Sequence, residues 1–164
     1  CGGVPSPIAL DPAAAPALAT VEPRVGGVQK ILVDFSDDVS ASYEAGHIVL
    51  SGGLTLVGEE LVNNGQTLQI TVAGSADASC YGIDITGAVY LAVNEDANCA
   101  LRVLAGDVNG SGDVSTGDMG IVKLKVNQPV LPDNARMDLN CSGDITTGDM
   151  ALAKMFVGHS LTCQ

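Results

Sequence analysis

The feature that most constrains the fold is a duplication in the last third of the chain. Residues 106–126 and 137–157 align with a shift of 31 residues and are identical at 11 of 21 positions, which is more than chance gives. A repeat of this length and spacing indicates one small structural unit that occurs twice. The sequence therefore predicts a C-terminal part, residues 106–164, that is built from two equivalent units.

Each copy of the repeat begins with the pattern D-x-N-x-S-G-D-x-[ST]-x-x-D. This is the spacing of a twelve-residue calcium loop, in which alternate oxygen-bearing side chains converge on one cation and glycine at position 6 makes a sharp turn. We therefore predict that two Ca²⁺ ions bind. The predicted ligands of the first loop are Asp107, Asn109, Ser111, Asp113 through its carbonyl oxygen, Ser115 and Asp118. Those of the second loop are Asp138, Asn140, Ser142, Asp144 through its carbonyl oxygen, Thr146 and Asp149.

Both loops depart from the usual pattern in the same way. Position 12 is Asp in place of the longer Glu, and position 5 is Ser, so each loop has two carboxylates among its predicted side-chain ligands. Fewer ligand charges predict weaker binding, with dissociation constants on the order of 10⁻⁵ to 10⁻³ M, which reaches the range of extracellular calcium modules.

A helical apolar pattern follows each loop. Its members are Met119, Ile121, Val122 and Leu124 in the first copy and Met150, Leu152, Met155 and Phe156 in the second. A calcium loop with only its exiting helix, present twice within residues 106–158, resembles a dockerin, the calcium-dependent module that binds cohesin domains. The resemblance implies partner contacts at loop positions 10 and 11 and on the helix after them. The corresponding residues are Thr116, Gly117, Lys123, Thr147, Gly148 and Lys154, although Thr-Gly is also an ordinary pair at the start of a helix.

Residues 20–105 have a different pattern, in which apolar and polar positions alternate in short runs separated by Gly, Asn, Asp and Ser. Such runs are typical of β-strands. The predicted strands are 29–35, 47–50, 54–57, 67–73, 80–86, 88–93 and 99–104. Their number and spacing favour a two-sheet sandwich. Residues 21–40 also resemble the start of bacterial immunoglobulin-like repeats, which implies a non-catalytic spacer or adhesion role. The expected fold class is a mainly β, immunoglobulin-like sandwich followed by a small α-helical, dockerin-like double calcium-loop module.

The first 19 residues hold four of the seven prolines and many alanines, and this composition predicts an extended segment. One interpretation of residues 1–19 is a linker. The other is that residues 4–10 lie along the sheet edge of another molecule, because extended peptides bind in this way.

Five cysteines without a CxxC pair or a zinc spacing favour an oxidising compartment, and hence an extracellular or cell-surface location. Pairing of neighbours in sequence predicts bonds between Cys80 and Cys99 and between Cys141 and Cys163, although sequence alone does not fix the connectivity. Cys1 is then left over. It is a terminal thiol, the lipid-bearing residue of a processed lipoprotein, or the site of a bond to a neighbouring chain.

Charge and motifs argue against several functions. The net charge of −12 disfavours nucleic acid as a partner, and no apolar run is long enough to span a bilayer. The two histidines and the paired carboxylates form no known catalytic motif, so we expect no enzyme activity.

The charge is unevenly distributed along the chain. Residues 1–104 carry 12 acidic and 3 basic residues, whereas residues 105–164 carry 7 and 4, so two Ca²⁺ ions would change the charge of the C-terminal part from −3 to +1. The combined pattern predicts a secreted, calcium-binding assembly protein. Its partner is either further copies of itself, joined into a filament through the dockerin-like module and the extended N-terminus, or a separate cohesin-like domain. In the second case the module targets a secreted or surface protein.

Overall fold

The computed structural model describes residues 7–10, 15, 18–89 and 98–162. This part of the chain is mainly β, with two short α-helices towards the C-terminus. Within these ranges no helix is long and apolar enough to cross a membrane. The strands are β1 (Thr20–Glu22), β2 (Lys30–Asp34), β3 (Val49–Leu50), β4 (Thr55–Val62), β5 (Thr67–Ala73), β6 (Ser79–Asp84), β7 (Asn98–Val103), β8 (Gln128–Pro129) and β9 (Asp144–Ile145), and the helices are α1 (Thr116–Lys125) and α2 (Thr147–Phe156). A 3₁₀-helix, Ala135–Met137, lies between β8 and β9.

The first seven strands form two sheets, with strand orders β1-β7-β6-β3 and β2-β5-β4. Strand β1 runs parallel to β7, with Thr20 opposite Leu101 and Glu22 opposite Val103. The other pairs in these two sheets are antiparallel. The residues after β1 contact the C-terminal part, because Val25 N–H donates to the Leu139 carbonyl oxygen and the Pro23 carbonyl oxygen accepts from Gly106 N–H. The parallel pair of β1 and β7 therefore lies beside the start of the repeat.

The two sheets pack around one hydrophobic cluster, which gives this region a sandwich-like character. Its members on the central strands are Leu68, Ile70, Val72, Tyr81, Ile83, Leu101 and Val103. Leu68 and Ile70 have no exposed surface. The cluster forms because every second side chain of a strand points to the same face, so the alternating sequence places its apolar residues inward.

Most predicted strands overlap an observed one, and β5 has the predicted bounds of 67–73. Strand β4 continues to Val62, beyond its predicted end at residue 57, and its register shifts between Leu56 and Gly58. A β-bulge of this kind interrupts the alternation of the side chains, which explains why the sequence pattern ended early. Of the predicted strand 88–93, residues 90–93 lie outside the described part, and Val89 forms an isolated bridge with Tyr43.

Residues 9 and 10 of the predicted extended segment contact the sandwich of the same chain. Leu10 packs against the sandwich cluster, and the Thr20 hydroxyl donates a hydrogen bond to the Ala9 carbonyl oxygen at 3.3 Å. Residues 4–6, which belong to the segment considered for binding another molecule, lie outside the described residues.

Helices α1 and α2 pack together over a second cluster, formed by Val108, Val122, Leu139, Ile145 and Ala153. Each helix has ten residues and starts with a capping box. In each box the N-cap side chain accepts a hydrogen bond from the backbone N–H of the third helical residue, and the side chain of that residue accepts one from the N-cap N–H. These bonds satisfy donors that would otherwise lack partners. The prediction of a helix after each loop is confirmed.

A third cluster joins the sandwich to the helical part. Val21 from β1, Leu104 after β7 and Val114 from the first loop are buried at its centre, and Phe156 and Leu161 pack against them. The first loop therefore starts where the sandwich ends, with its residues packed directly on β1 and on the residue that follows β7.

Candidate metal centre

The first predicted loop wraps around the side chain of Asp107, which has no exposed surface. Its Oδ1 accepts hydrogen bonds from the backbone N–H groups of Gly110 at 2.8 Å and Ser111 at 3.0 Å. Its Oδ2 accepts one from Gly112 N–H at 2.8 Å. Gly112 is the position-6 glycine and has a φ of 91°, in the left-handed region that favours glycine. These bonds curl the loop around its first carboxylate.

Asp118 at position 12 closes the first loop from the first turn of α1. Its Oδ1 accepts a hydrogen bond from Asn109 N–H at 3.2 Å, and its Oδ2 accepts bonds from Ser115 N–H at 2.9 Å and Ser115 Oγ at 3.0 Å. Ser115 is also the residue that caps α1. Ser115 and Asp118 thus form the start of α1, and their hydrogen bonds connect positions 3, 9 and 12 of the loop.

The second loop repeats most of these contacts at positions shifted by 31 residues, except that the Cys141 N–H bonds to the Asp138 carbonyl oxygen at 3.3 Å. Asp149 Oδ1 accepts from Asn140 N–H at 3.2 Å, and its Oδ2 accepts from Thr146 N–H at 2.8 Å. Asp138 likewise accepts from Ser142 N–H at 2.9 Å and Gly143 N–H at 3.0 Å. The duplication in the sequence is therefore a duplication of geometry.

The position-5 serines behave alike in both loops. Ser111 Oγ donates to the Asp113 carbonyl oxygen and Ser142 Oγ donates to the Asp144 carbonyl oxygen, each at 3.0 Å. The hydroxyl oxygen at position 5 and the carbonyl oxygen at position 7 are thereby brought together, as the predicted ligand set requires.

Each loop is held by the segment that follows the helix of the other copy. Asn127, after α1, donates its N–H to the carbonyl oxygen of Ile145 in the second loop at 2.7 Å. Gly158, after α2, donates its N–H to the carbonyl oxygen of Val114 in the first loop at 2.9 Å. Val114 and Ile145 are both position 8 of their loops, so the exchange is reciprocal and follows the internal symmetry.

The loop carboxylates form no ion pair among the described residues, although the charges of Arg24 and Arg136 act on Asp138 and Asp107 respectively. Asp107, Asp118 and Asp149 have no exposed surface, and the ion pairs found among the described residues involve other acids. Burial is the main cause that raises the pKa of Asp107, backbone hydrogen bonds lower it, and the charge of Asp118 raises it further. Buried, adjacent carboxylates that lack an ion-pair partner are costly, and a bound cation would relieve this cost.

The donor set of each loop fits a hard cation such as Ca²⁺. It comprises two carboxylates, an amide oxygen, two hydroxyl oxygens and a backbone carbonyl oxygen, and Ca²⁺ takes six to eight oxygen ligands of these kinds. Nowhere in the described residues do three or more His, Cys, Asp or Glu side chains come together as a metal-binding group. A loop with two carboxylates does not form such a group, because its remaining donors are amide, hydroxyl and carbonyl oxygens.

The six residues predicted to contact a partner are all exposed. They are Thr116, Gly117, Lys123, Thr147, Gly148 and Lys154. Leu124 and Met155, two members of the helical apolar patterns, are 79% and 71% exposed. These two residues are also related by the shift of 31. The sequence pattern did not identify these two residues as surface residues. The signal that could have done so is that each directly follows one of the two lysines, at equivalent positions of the repeat.

Arginines at the junction of the sandwich and the first loop are a second feature that the sequence did not indicate. Arg102 on β7 is 8% exposed. Its Nε donates to the Ala19 carbonyl oxygen at 2.7 Å, and its Nη2 donates to the Gly110 carbonyl oxygen at 3.3 Å. Arg136 Nη2 donates to the Asp107 carbonyl oxygen at 3.4 Å, and burial is the main cause that lowers the pKa of Arg136.

The predicted disulfide between Cys80 and Cys99 does not agree with the strand register. Cys80 lies opposite Arg102 and Cys99 lies opposite Ile83 in the antiparallel pair of β6 and β7. This offset of three residues corresponds to about 10 Å along the strands, whereas disulfide-bonded residues have Cα atoms at most about 7 Å apart. Cys80 does form a disulfide bond, but this register rules out Cys99 as its partner.

Cys141, at position 4 of the second loop, also forms a disulfide bond. Its predicted partner, Cys163, lies outside the described residues, as does Cys1. The bond between Cys141 and Cys163 and the three interpretations of Cys1 therefore stay predictions.

Comparisons with known proteins do not assign the chain to a family: it matches no protein-family model, no curated protein and no solved structure.

Proposed function

We propose that this chain is a non-catalytic, calcium-binding unit that mediates protein–protein association outside the cell. The observation that carries the proposal is the pair of loops. In each, the closing carboxylate at position 12 is fully buried and accepts the same hydrogen bonds from positions 3 and 9. Two equivalent arrangements of this kind in one chain support a shared function of the repeat.

Calcium would be held in the first loop by Asp107, Asn109, Ser111, the Asp113 carbonyl oxygen, Ser115 and Asp118, and in the second by the equivalent residues from Asp138 to Asp149. A bound ion supplies positive charge at the buried carboxylates. The protein's own part is to position the donors, since the residues at positions 9 and 12 also cap α1 and α2. A change that orders a loop therefore also stabilises the start of the helix that follows it.

The association surface in this proposal consists of one exposed face on each helix, which we call the paired helix faces: residues 116, 117, 123 and 124 on α1 and residues 147, 148, 154 and 155 on α2. The acids of both helices, Asp118 and Asp149, are buried. The paired faces therefore present lysine, small and apolar side chains without a carboxylate, in two copies. With both loops calcium-bound, this part of the chain would carry a charge of +1, and we infer that its partner surface is acidic.

An extracellular or cell-surface location is part of the proposal. Cys80 and Cys141 are disulfide-bonded, and such bonds persist in oxidising compartments. The expected weak calcium affinity also suits the millimolar calcium found outside cells. Both lines of support are physical and independent of the resemblance to dockerins.

The partner is proposed to be either a further copy of the chain or a cohesin-like domain. The acidic sandwich favours a further copy, because residues 1–104 have a charge of −9 and would attract the calcium-loaded paired helix faces. The resemblance to dockerins favours the cohesin-like domain.

Calorimetric titration of the full chain with calcium tests the metal function. We expect two ions per chain in the wild type and one each in Asp118→Ala and Asp149→Ala, because each substitution removes the closing ligand of one loop. Binding of no calcium by the wild type would refute the proposal.

Association is then measured with the same protein in millimolar calcium and in chelator. Growth of the scattered light with calcium supports self-association, and calcium-dependent binding of a purified cohesin domain supports the alternative. A chain that binds two calcium ions but shows neither effect would leave calcium with a purely stabilising role and would refute an association function.

A further inference from the structure

Position 4 of each loop has a property that the ligand set does not explain. Gly110 and Cys141 occupy this position, and both have positive φ, at 76° and 57°. Neither is among the predicted ligands, yet each is connected to a group outside its loop. The two connections are chemically different, although the loops themselves have the same pattern.

The first loop is connected at this position to the sandwich by Arg102. The guanidinium of this buried residue accommodates two carbonyl oxygens, donating through Nε to Ala19 at 2.7 Å and through Nη2 to Gly110 at 3.3 Å. Because a guanidinium is a rigid planar fork, its two bonds fix the position of the Gly110 carbonyl relative to the sandwich.

The second loop is connected at the same position by a covalent bond, because Cys141 is disulfide-bonded. A disulfide restricts the conformations that the attached backbone can adopt. The residue also carries a positive φ that is uncommon outside glycine, so the bond acts on a backbone conformation that an unrestrained loop would often leave.

We propose that position 4 is the anchoring point that orders each loop before calcium binds, through Arg102 in the first loop and through the Cys141 disulfide in the second. The proposal rests on the proposed calcium function. Its physical reason is that position 4 lies between two predicted ligands, which are Asn109 and Ser111 in the first loop. Fixing the residue between them restricts both, and an ordered site loses less entropy when it binds its ion.

One consequence is that two loops with nearly the same ligands respond to different changes. The affinity of the first loop depends on the sandwich, and the affinity of the second depends on the redox state of Cys141. Both anchors act through the loop backbone, so Arg102 and Cys141 are positioning residues and not calcium ligands.

The test is a calcium titration of the full chain followed by nuclear magnetic resonance, with the backbone amides of Gly112 and Gly143 as separate reporters of the two loops. Arg102→Lys keeps the charge but removes the fork, so it separates geometry from electrostatics. We expect this variant to weaken calcium binding at Gly112 about tenfold or more, as changes to outer-shell partners of metal ligands do, and to leave the midpoint at Gly143 unchanged. Cys141→Ser should do the reverse.

Arg24→Lys is the matched control, because Arg24 bonds through its Nε to Glu22 at 2.6 Å and its charge acts on Asp138 of the second loop. It should leave the Gly112 midpoint unchanged. A shift in this control equal to that of Arg102→Lys would show that any loosening of the junction has the same effect, and would overturn the anchoring role. Unchanged midpoints in both Arg102→Lys and Cys141→Ser would also overturn it.

If Cys141→Ser does not fold, reduction of the wild-type chain provides the second measurement and should weaken binding at Gly143 only. Reduction also opens the disulfide of Cys80, so the Cys80→Ser variant shows how much of the change comes from that residue. Failure of Arg102→Lys to fold in calcium, where Arg24→Lys folds, would assign Arg102 to folding and would overturn its anchoring role. If neither glycine responds to calcium in the wild type, the proposed calcium function itself fails, which is a distinct result.

Discussion

The cluster that joins the sandwich to the first loop makes a specific prediction about Leu104. This side chain has no exposed surface and packs with Val21 and Val114, which come from the two regions that it joins. Replacing a buried leucine by alanine costs about 2–5 kcal/mol. Calcium at a hundredfold excess over its dissociation constant adds about 2.7 kcal/mol per site, or about 5 kcal/mol for two loops. Loss of the Leu104 side chain is therefore comparable to the stabilisation that two bound calcium ions would provide.

We expect Leu104→Ala to uncouple the sandwich from the calcium loops. In the wild type, calcium should raise the unfolding temperature of both regions together, because the junction transmits the stabilisation. In the variant, calcium should raise the unfolding temperature of the helical part but no longer that of the sandwich.

The chain contains its own probes for this measurement. It has no Trp, and its three Tyr residues all lie within residues 20–105, so tyrosine fluorescence reports the sandwich alone. The helices lie in the C-terminal part, so far-ultraviolet circular dichroism follows that part preferentially. Thermal unfolding recorded by both signals, with calcium and with chelator, separates the two regions.

Leu68→Ala is the matched control for Leu104→Ala. Leu68 is also fully buried, but it lies in the sandwich cluster away from the junction. It should lower the stability by a similar amount while the two signals still change together. If calcium shifts the tyrosine signal of Leu104→Ala as much as that of the wild type, the junction does not carry the coupling and the reasoning is wrong.

Two further predictions concern the surface and the turns. Lys123→Glu combined with Lys154→Glu should abolish calcium-dependent association, measured by light scattering or cohesin binding, and should leave the calcium stoichiometry unchanged. Either substitution alone should leave measurable binding, because the face on the other helix remains. A single variant that loses as much binding as the double variant would contradict two equivalent faces. Gly52→Ala should destabilise the fold more than Gly53→Ala, since both have positive φ but an added Cβ at Gly52 would come within 2.2 Å of the Cys80 carbonyl oxygen and at Gly53 would meet no atom within 4 Å. Strained backbone costs about 1–3 kcal/mol, so Gly53→Ala should remain within that range and Gly52→Ala should exceed it in denaturant unfolding.

The loop conformation and the helix starts were predictable because the same residues determine both. A residue such as Asp118 must lie at a fixed spacing from Asp107 to close the loop, and this spacing is visible in the sequence. The same holds for β5, whose alternating side chains are buried on one face. Local geometry of this kind depends on residues that are close in the chain, so sequence patterns capture it.

Features that depend on distant pairing were not predictable in the same way. The register that separates Cys80 from Cys99 is set by which residues of β6 and β7 pair, and sequence spacing does not contain that information. Arg102 resembles any strand residue until the Ala19 and Gly110 carbonyl oxygens are brought beside it. The exposure of Leu124 follows from where α1 packs, which the apolar pattern alone did not determine.

The reciprocal bonds between the two copies explain why the repeat occurs as a pair. An isolated helix of ten residues is marginal in water, and a single loop would lack the partner for its position-8 residue. Here Asn127 after α1 bonds to Ile145 and Gly158 after α2 bonds to Val114, so each loop is completed by the other copy. Each loop is therefore complete only when the helix of the other copy has folded, which requires the two copies to occur together.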